Sequence, residues 1–149
     1  MITLKEIDRH NFKAIAALKV ADAQKDFVAE NVYSIAQAKA YPECIPLAVY
    51  DNDTPVGFIM YCMDYDDKEY WIYRLMIDEN HQGKGYGKAA LKLVLLKILE
   101  DKAYNKIFIS VVPGNEAVAK MYETFGFETD NQVLEGEIVY CLHRNNFTM

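Results

Sequence analysis

Apolar and polar positions alternate from Ile2 to Ile7, the period-two pattern of a strand with one wet face, and an edge strand is expected there. Phe12, Ile15 and Leu18 then recur at helical spacing, with Asp8 or Asn11 available to cap a first helix. Ser34-Ile35-Ala36-Gln37 fits a capping box, so a second helix is expected over Ser34–Ala40, with Pro42 and Pro46 ending the helical stretch. Leu47–Tyr50 and Val56–Met63 read as a hairpin around the turn-forming run Asp51-Asn52-Asp53-Thr54-Pro55. After the loop Asp64–Glu69, the aromatic and β-branched run Tyr70–Ile77 reads as a buried strand. Ala90, Leu91, Val94, Leu95, Ile98 and Leu99 mark the apolar face of a long helix. Lys106–Val112 is a further strand, broken by Pro113-Gly114. A helix over Glu116–Phe125 follows, with Asn115 as its cap and Gly126 as its stop. Glu128–Leu134 and Ile138–His143 close the chain as a hairpin around Glu135-Gly136. The order β-α-α-β-β-β-α-β-α-β-β implies an α/β fold, a mixed sheet with helices on both faces.

The stretch Gln82-Gly83-Lys84-Gly85-Tyr86-Gly87-Lys88 sits where the buried strand gives way to the long helix. Glycine there lets backbone approach a ligand closely. The free amides and the dipole of the helix start favour an anion, usually a phosphate. A P-loop is excluded, because no stretch fits G-x-x-x-x-G-K-[ST]. The dinucleotide fingerprint is excluded because Lys88 stands at the third glycine position. Lys84 and Lys88 oppose the helix dipole unless an anion binds nearby.

Composition narrows the possibilities. A chain of 149 residues fits one domain with a real core. No signal sequence and no membrane-spanning run is seen. Cys44, Cys62 and Cys141 lie in apolar contexts and read as buried thiols of a reducing cytoplasm. His10, His81 and His143 lack metal-ligand spacing, so no metal is expected. A net charge of −6 argues against nucleic acid and suits a cationic substrate. The acidic loop Asp64–Glu69 reads either as a solvated loop or as a cation-attracting rim.

Leu75-Met76-Ile77-Asp78 followed by Gln82–Gly87 resembles the acetyl-coenzyme A site of the GNAT N-acetyltransferases. Asn115–Tyr122 followed by Phe125-Gly126-Phe127 is similar to the family's second signature at the usual distance. The resemblance covers residues 1–149 as one domain. Within the family it is nearest to the small bacterial spermine/spermidine (diamine) N-acetyltransferases. It implies about seven strands, with strands 4 and 5 splayed around the cosubstrate. It implies acetyl-coenzyme A as cosubstrate, with the diphosphate on the amides of Gly83–Lys88 and Gln82 orienting the turn and reaching the phosphates. The pantetheine arm would run along Leu75, Met76 and Ile77, with Asn115 on its other side and Lys120 near the 3′-phosphate. A strand-4 amide would stabilise the oxyanion, and Tyr122 would protonate the departing thiolate. A homodimer would follow family habit.

Two departures stand out. Val118 replaces the usual alanine, and strand 4 carries Trp71 and Tyr73 where many relatives place a glutamate base. Neutralising an alkyl amine of pKa about 10.4 at pH 7 costs about 4.6 kcal/mol, so a proton route is needed. Glu30 and Glu69 are the candidates, acting through water with Tyr73 as relay. For a polyamine, Asp26, Glu30, Asp64, Asp66 and Asp67, with Tyr33, Tyr65, Trp71 and Tyr73, supply carboxylates and aromatic faces. The expected function is acetyl transfer to a small cationic amine, most of all a polyamine, without nucleic-acid or membrane partners. The alternatives are another amine (amino acid, aminoglycoside, protein N-terminus or lysine) and a non-catalytic acyl-coenzyme A sensor.

Overall fold

A computed structural model describes residues 1–149. Seven strands form one sheet: β1 (Ile2–Glu6), β2 (Cys44–Asp51), β3 (Thr54–Met63), β4 (Tyr70–Ile77), β5 (Lys106–Val111), β6 (Glu128–Leu134) and β7 (Glu137–His143). The helices are α1 (Phe12–Ala17), α2 (Asn31–Ala40), α3 (Tyr86–Leu99) and α4 (Glu116–Thr124). The strand order is β1-β2-β3-β4-β5-β7-β6. Every pairing is antiparallel except β4 with β5.

The sheet is covered on both faces, which explains why β3 does not alternate. Val56 to Cys62 are all buried, as a central strand with helices above and below requires. One core packs Leu91, Val94, Leu95 and Ile98 of α3 and Tyr122 of α4 against Val49, Ile59, Ile72 and Ile109. The other packs Ile15 of α1 and the inner side of α2 against Ala48, Phe58, Met60 and Met76.

Two local features of β4 shape everything that follows. Met60 faces Arg74 across the β3–β4 pair, whereas Tyr61 faces Ile72, so Tyr73 is an extra residue that bulges β4. On its other side β4 pairs with β5 only at Tyr70, Trp71 and Ile72. Beyond Ile72 the two strands separate. β5 continues through Ser110 and Val111, paired with β7 alone. The backbone of β4 from Tyr73 onward therefore lies along an opening in the middle of the sheet.

Several expected details differ. α2 begins at Asn31, three residues before the expected capping box, and Ser34 is buried within it with its hydroxyl 3.4 Å from the carbonyl of Glu30. Ser34 is needed inside the helix as a small residue against the sheet, so its side chain is unavailable as a cap. Phe12 is 43% exposed, and α1 buries only Ile15, because the helix is a single short segment that ends at Ala17. Asn115 precedes α4 without capping it through its side chain. Pro46 lies inside β2 instead of before it. β1 ends at Glu6 opposite Leu47, so the missing Pro46 amide faces no partner strand on that side. Cys44 and Cys62 are buried, but Cys141 is only half-buried on the outer face of β7.

Candidate active site

The turn before α3 holds a row of unused amides. Gly83 and Gly85 have φ of +78° and +80°, and nothing lies within 4 Å of where a Cβ would stand. The constraint on these positions is thus conformational and not one of space. Gly85 is the N-cap of α3, with no side-chain cap and no acidic residue in the first turn. The first bond of the helix runs from Ala89 N–H to the Gly85 carbonyl at 3.1 Å. The amides from Gly83 to Lys88 have no partner within the chain, an arrangement that can take an anion, and the Asp51 carboxylate beside the turn accepts from the Tyr86 hydroxyl at 2.7 Å. Gln82 serves the turn: its Nε2 donates to the carbonyl of Ile77 (2.9 Å) and to Gln24 Oε1 (2.9 Å). That amide is occupied at the end of β4 and does not reach outward. The Lys88 ammonium stands 5.7 Å from the ring centre of Phe125.

The turn opens into a cleft of about 1290 Å³ that follows the parting of β4 and β5. This exceeds the usual single small-ligand pocket of roughly 300–1,000 Å³, and leaves room for two reactants. Leu75, Met76 and Ile77 line one side, while Ser110, Val111, Asn115, Val118 and Tyr122 line the other. Tyr122 is 5% exposed, its ring 5.8 Å from that of Phe127. Burial pushes its phenol well above the ordinary tyrosine value, so the group stays protonated across the neutral range.

The far half of the cleft is walled by the segment from Asp26 to Gln37, by the loop after β3 and by the β6–β7 turn. Tyr73 donates to Asp64 Oδ2 at 2.6 Å, and the Asp66 amide donates to Asp64 Oδ1 at 2.8 Å. Burial acts to raise the Asp64 carboxyl, but the Tyr73 hydroxyl and the Asp66 and Asp67 amides outweigh it, and the group lies below its usual value. Burial and the Asp64 hydrogen bond raise the Tyr73 phenol far above its ordinary value. Trp71 Nε1 donates to Asp67 Oδ2 at 2.7 Å, and its ring stacks on Phe108 at 5.1 Å. Asp26, Tyr33, Asp64, Asp66, Asp67, Trp71 and Tyr73 all line this half.

Glu30 does not. It is the exposed N-cap of α2 and is absent from the cleft wall, as are Tyr65, Glu69, Lys84 and Lys120. Four lining groups escaped the sequence reading. Arg74 donates to the Tyr73 carbonyl (2.9 Å) and to Gln37 Oε1 (3.0 Å). On the β5 flank, Ser110 donates to Glu137 Oε1 at 3.1 Å, and Glu135 and Glu137 add two carboxylates to the wall. The bulge in β4 brings Arg74 to the opening and the β5–β7 register brings Ser110 to Glu137, and neither is visible as a local pattern.

The acetyltransferase (GNAT) family model matches residues 6–127. The chain belongs to the GNAT family. It is an acetyl-coenzyme A-dependent N-acetyltransferase that acts on an amine. This GNAT chain is 30% identical over 138 residues to the spermine/spermidine N(1)-acetyltransferase of Bacillus subtilis, covering 89% of this chain and 91% of that one. Its fold is shared with a spermidine N-acetyltransferase from Vibrio cholerae solved with coenzyme A and spermine (TM-score 0.76, 16% identity, 97% and 96% of the two chains). It is also shared with an aminoglycoside acetyltransferase solved with coenzyme A and kanamycin (TM-score 0.79, 17% identity, 98% and 96%). The uncapped amides of the glycine turn and the unpaired strand edge beside it are what a diphosphate and an amide-bearing arm require, so the residues present fit coenzyme A.

Proposed function

We propose that this enzyme moves the acetyl group of acetyl-coenzyme A to a primary amine of a small polycation, a polyamine such as spermidine or spermine. The observation that carries the reading is the charge of the acceptor half of the cleft. Asp26, Asp64, Asp66, Asp67, Glu135 and Glu137 line it, and Arg74 is the one cation among them. Carboxylates spread along a groove suit an extended molecule with several ammonium groups. Trp71, Tyr73 and Tyr33 add aromatic faces for cation–π contact. The name of the B. subtilis relative supports the same substrate class.

The chain's residues divide the work. The amides of Gly83 to Lys88 hold the diphosphate, with Lys88 flanking it. The free edge of Leu75–Ile77 aligns the pantetheine arm as an added strand, with Asn115 opposite. An amide of that edge, at Met76 or Ile77, accepts the developing oxyanion. The neutral amine attacks the thioester carbon, a C–N bond forms and the C–S bond breaks. Tyr122 gives its proton to the sulfur, and the amine's surplus proton replaces it through solvent. Positioning both reactants in this way can supply roughly 7–11 kcal/mol.

The test is coenzyme A release across an amine panel: spermine, spermidine, diamines, an aminoglycoside, an amino acid and a neutral monoamine. Polyamines should exceed the neutral monoamine in kcat/KM by at least about 100-fold, the worth of two partly screened ion pairs. Equal rates on polyamine and neutral amine overturn the reading.

A further inference from the structure

Arg74 is a cation set into a wall of carboxylates. It follows the bulged residue Tyr73 and is the second residue of β4 beyond the last pairing with β5. Its Nη1 holds the carbonyl of Tyr73, its Nη2 holds Gln37 of α2, and its Nε is buried with no partner. None of the three ion pairs of the molecule includes it. Neutral oxygens thus fix the guanidinium in place and no counter-ion is bonded to it. A cation held this way costs free energy that a surface position would avoid.

β4 presents Tyr73 and α2 presents Gln37; Cys44 of β2 feels the Arg74 charge together with that of Glu43, Cys62 of β3 lies against Cys44, and Asp64 stands behind the Tyr73 hydroxyl. Burial pushes the Cys62 thiol up to about 12 and raises the Cys44 thiol as well, so both are neutral at pH 7. Asp64 and Glu43 are the anions at the ends of these elements, neither is bonded to Arg74, and the two oxygens of Asp64 accept from the Tyr73 hydroxyl and the Asp66 amide. No carboxylate is bonded to Arg74, so its charge acts on what enters the opening beside it, while the carboxylates of the wall act further out.

We propose that Arg74 is a positioning residue that keeps the attacking amine neutral, so that a polyamine enters the opening with one uncharged end and its remaining ammonium groups against the carboxylates. This rests on the polyamine reading above. An ammonium brought beside a fixed cation loses stability relative to its neutral form, and a neighbouring charge typically shifts a titration by about one to three units. The proton leaves to bulk water as the amine binds, and the lone pair is then free for the thioester carbon. No carboxylate is needed at the point of attack, in keeping with Trp71 and Tyr73 standing where a glutamate was expected. The carboxylates further out hold the distal ammonium groups and set which end is neutral.

Two measurements test this, both on the full chain with spermidine. One is the pH dependence of kcat for wild type, Arg74→Met and Arg74→Lys. The other is the number of protons released when spermidine binds the coenzyme A complex, from calorimetry in two buffers of different ionisation enthalpy. In wild type, log kcat should level off well below the free amine value of about 10.4, and binding at pH 7.5 should release close to one proton. Arg74→Met should move the bend upward by about one unit or more, which is a roughly tenfold loss at pH 7 that is recovered at high pH. Its proton release should fall, and Arg74→Lys should restore both readouts. If Arg74→Met does not fold, Arg74→Gln, which keeps a donor for the Tyr73 carbonyl, takes its place with the same expectation. A kcat lowered by one factor at every pH, with the bend unmoved, means that Arg74 only braces the bulge, and the inference is overturned. Polyamine turnover without proton release overturns the inference and leaves the substrate reading standing. Proton release that depends on Arg74, without acetylation of the polyamine, supports the inference and overturns the substrate reading.

Discussion

Removal of one oxygen atom, in Tyr122→Phe, separates the chemistry of the site from its construction. The ring lies 5.8 Å from Phe127 and is 5% exposed, in the core shared by α3 and α4, and all of that packing is retained by phenylalanine. The hydroxyl accepts and donates no hydrogen bond within the chain, as its pKa reflects: burial is the one cause of its elevation. Its removal therefore leaves no orphaned partner, and stability should change by less than about 0.5 kcal/mol. For a protein of this size that is a shift in Tm of about 2 °C or less. Acetyl-coenzyme A affinity should be unchanged within about twofold, because the proposed placement rests the diphosphate and the arm on backbone amides of other segments. Turnover is another matter. General-acid assistance is worth about 10²- to 10⁴-fold, or roughly 3–5 kcal/mol. The assay is thiol release under saturating spermidine, beside calorimetric titration of the cosubstrate and a thermal melt. A kcat within about threefold of wild type, with an unaltered melt, would refute the assignment, and the leaving thiolate would then have to be taken up by solvent.

Four further outcomes follow from the same geometry. Gly85→Ala places a side chain at a φ of +80° with nothing nearby to clash, so it should cost about 1–2 kcal/mol of strain and weaken acetyl-coenzyme A binding, while Gly136→Ala at a φ of +81° should cost a similar amount of stability and leave that affinity intact. Burial raises the phenols of Tyr70 (to about 12), Tyr73 and Tyr122 above their unfolded value near 10; between those values the folded state retains protons that the unfolded state has lost, so stability should be full below pH 10 and fall as pH rises beyond it, and Tyr70→Phe should flatten that fall in alkaline melts. Arg144 donates to the carbonyls of Leu99, Asp101 and Tyr104 at 2.8–3.2 Å, so Arg144→Ala should lower urea-unfolding stability by about 2–3 kcal/mol, and no loss would show that the α3–β5 connection is held otherwise. Spermidine KM should rise several-fold between 50 and 300 mM salt while acetyl-coenzyme A KM moves less, because exposed carboxylates are screened over a Debye length of about 10 Å at 0.1 M; a salt-independent KM would remove the acidic rim from the account.

How much of this was legible depends on which physical signal each part leaves in the chain. The glycine turn announces itself, because a positive φ at Gly83 and Gly85 needs glycine whatever surrounds it, and the strand and helix on either side have their own periods. The unpaired edge of Leu75–Ile77 leaves no such mark, since it asks of side chains only that they be apolar, and it is expected only from the resemblance to the GNAT family. The acceptor wall is a different case. Asp64, Asp66, Asp67, Trp71 and Tyr73 are close in sequence and were found together. Arg74 leaves no such signal, because the bulge at Tyr73 inverts the expected alternation of β4 and no local pattern marks a bulge. Glu137 is silent because its partner Ser110 lies on another strand, and the β5–β7 register alone joins them. Glu30 misleads for the opposite reason: its acidity and place in the chain are visible, but the direction of a helix N-cap is not.

The division has a consequence for how this fold accommodates different amines. The donor half, as proposed, is made of backbone: amides ahead of α3 and a strand edge freed by the short pairing of β4 with β5. Backbone geometry is set by the core on the α3 and α4 face, and that core tolerates many apolar substitutions of similar volume. The acceptor half is made of side chains from four separate segments: the chain between Asp26 and Gln37, the loop at Asp64–Asp67, β4 itself and the β6–β7 turn. Substitution there alters charge and shape without disturbing the strand edge or the glycine turn. The fold itself is shared with proteins solved with different amines, one with spermine and one with kanamycin, each alongside coenzyme A and each under 20% identical to this chain. In this chain Tyr73 and Arg74 belong to both halves, and the charged one of the two is Arg74. Its backbone runs along the freed edge while its guanidinium joins the acceptor wall through Gln37. A change at Arg74 should therefore be the one acceptor-wall substitution that alters the pH dependence of acetyl transfer, whereas neutralising Asp66 or Asp67 should alter KM for the polyamine with the pH dependence of kcat retained.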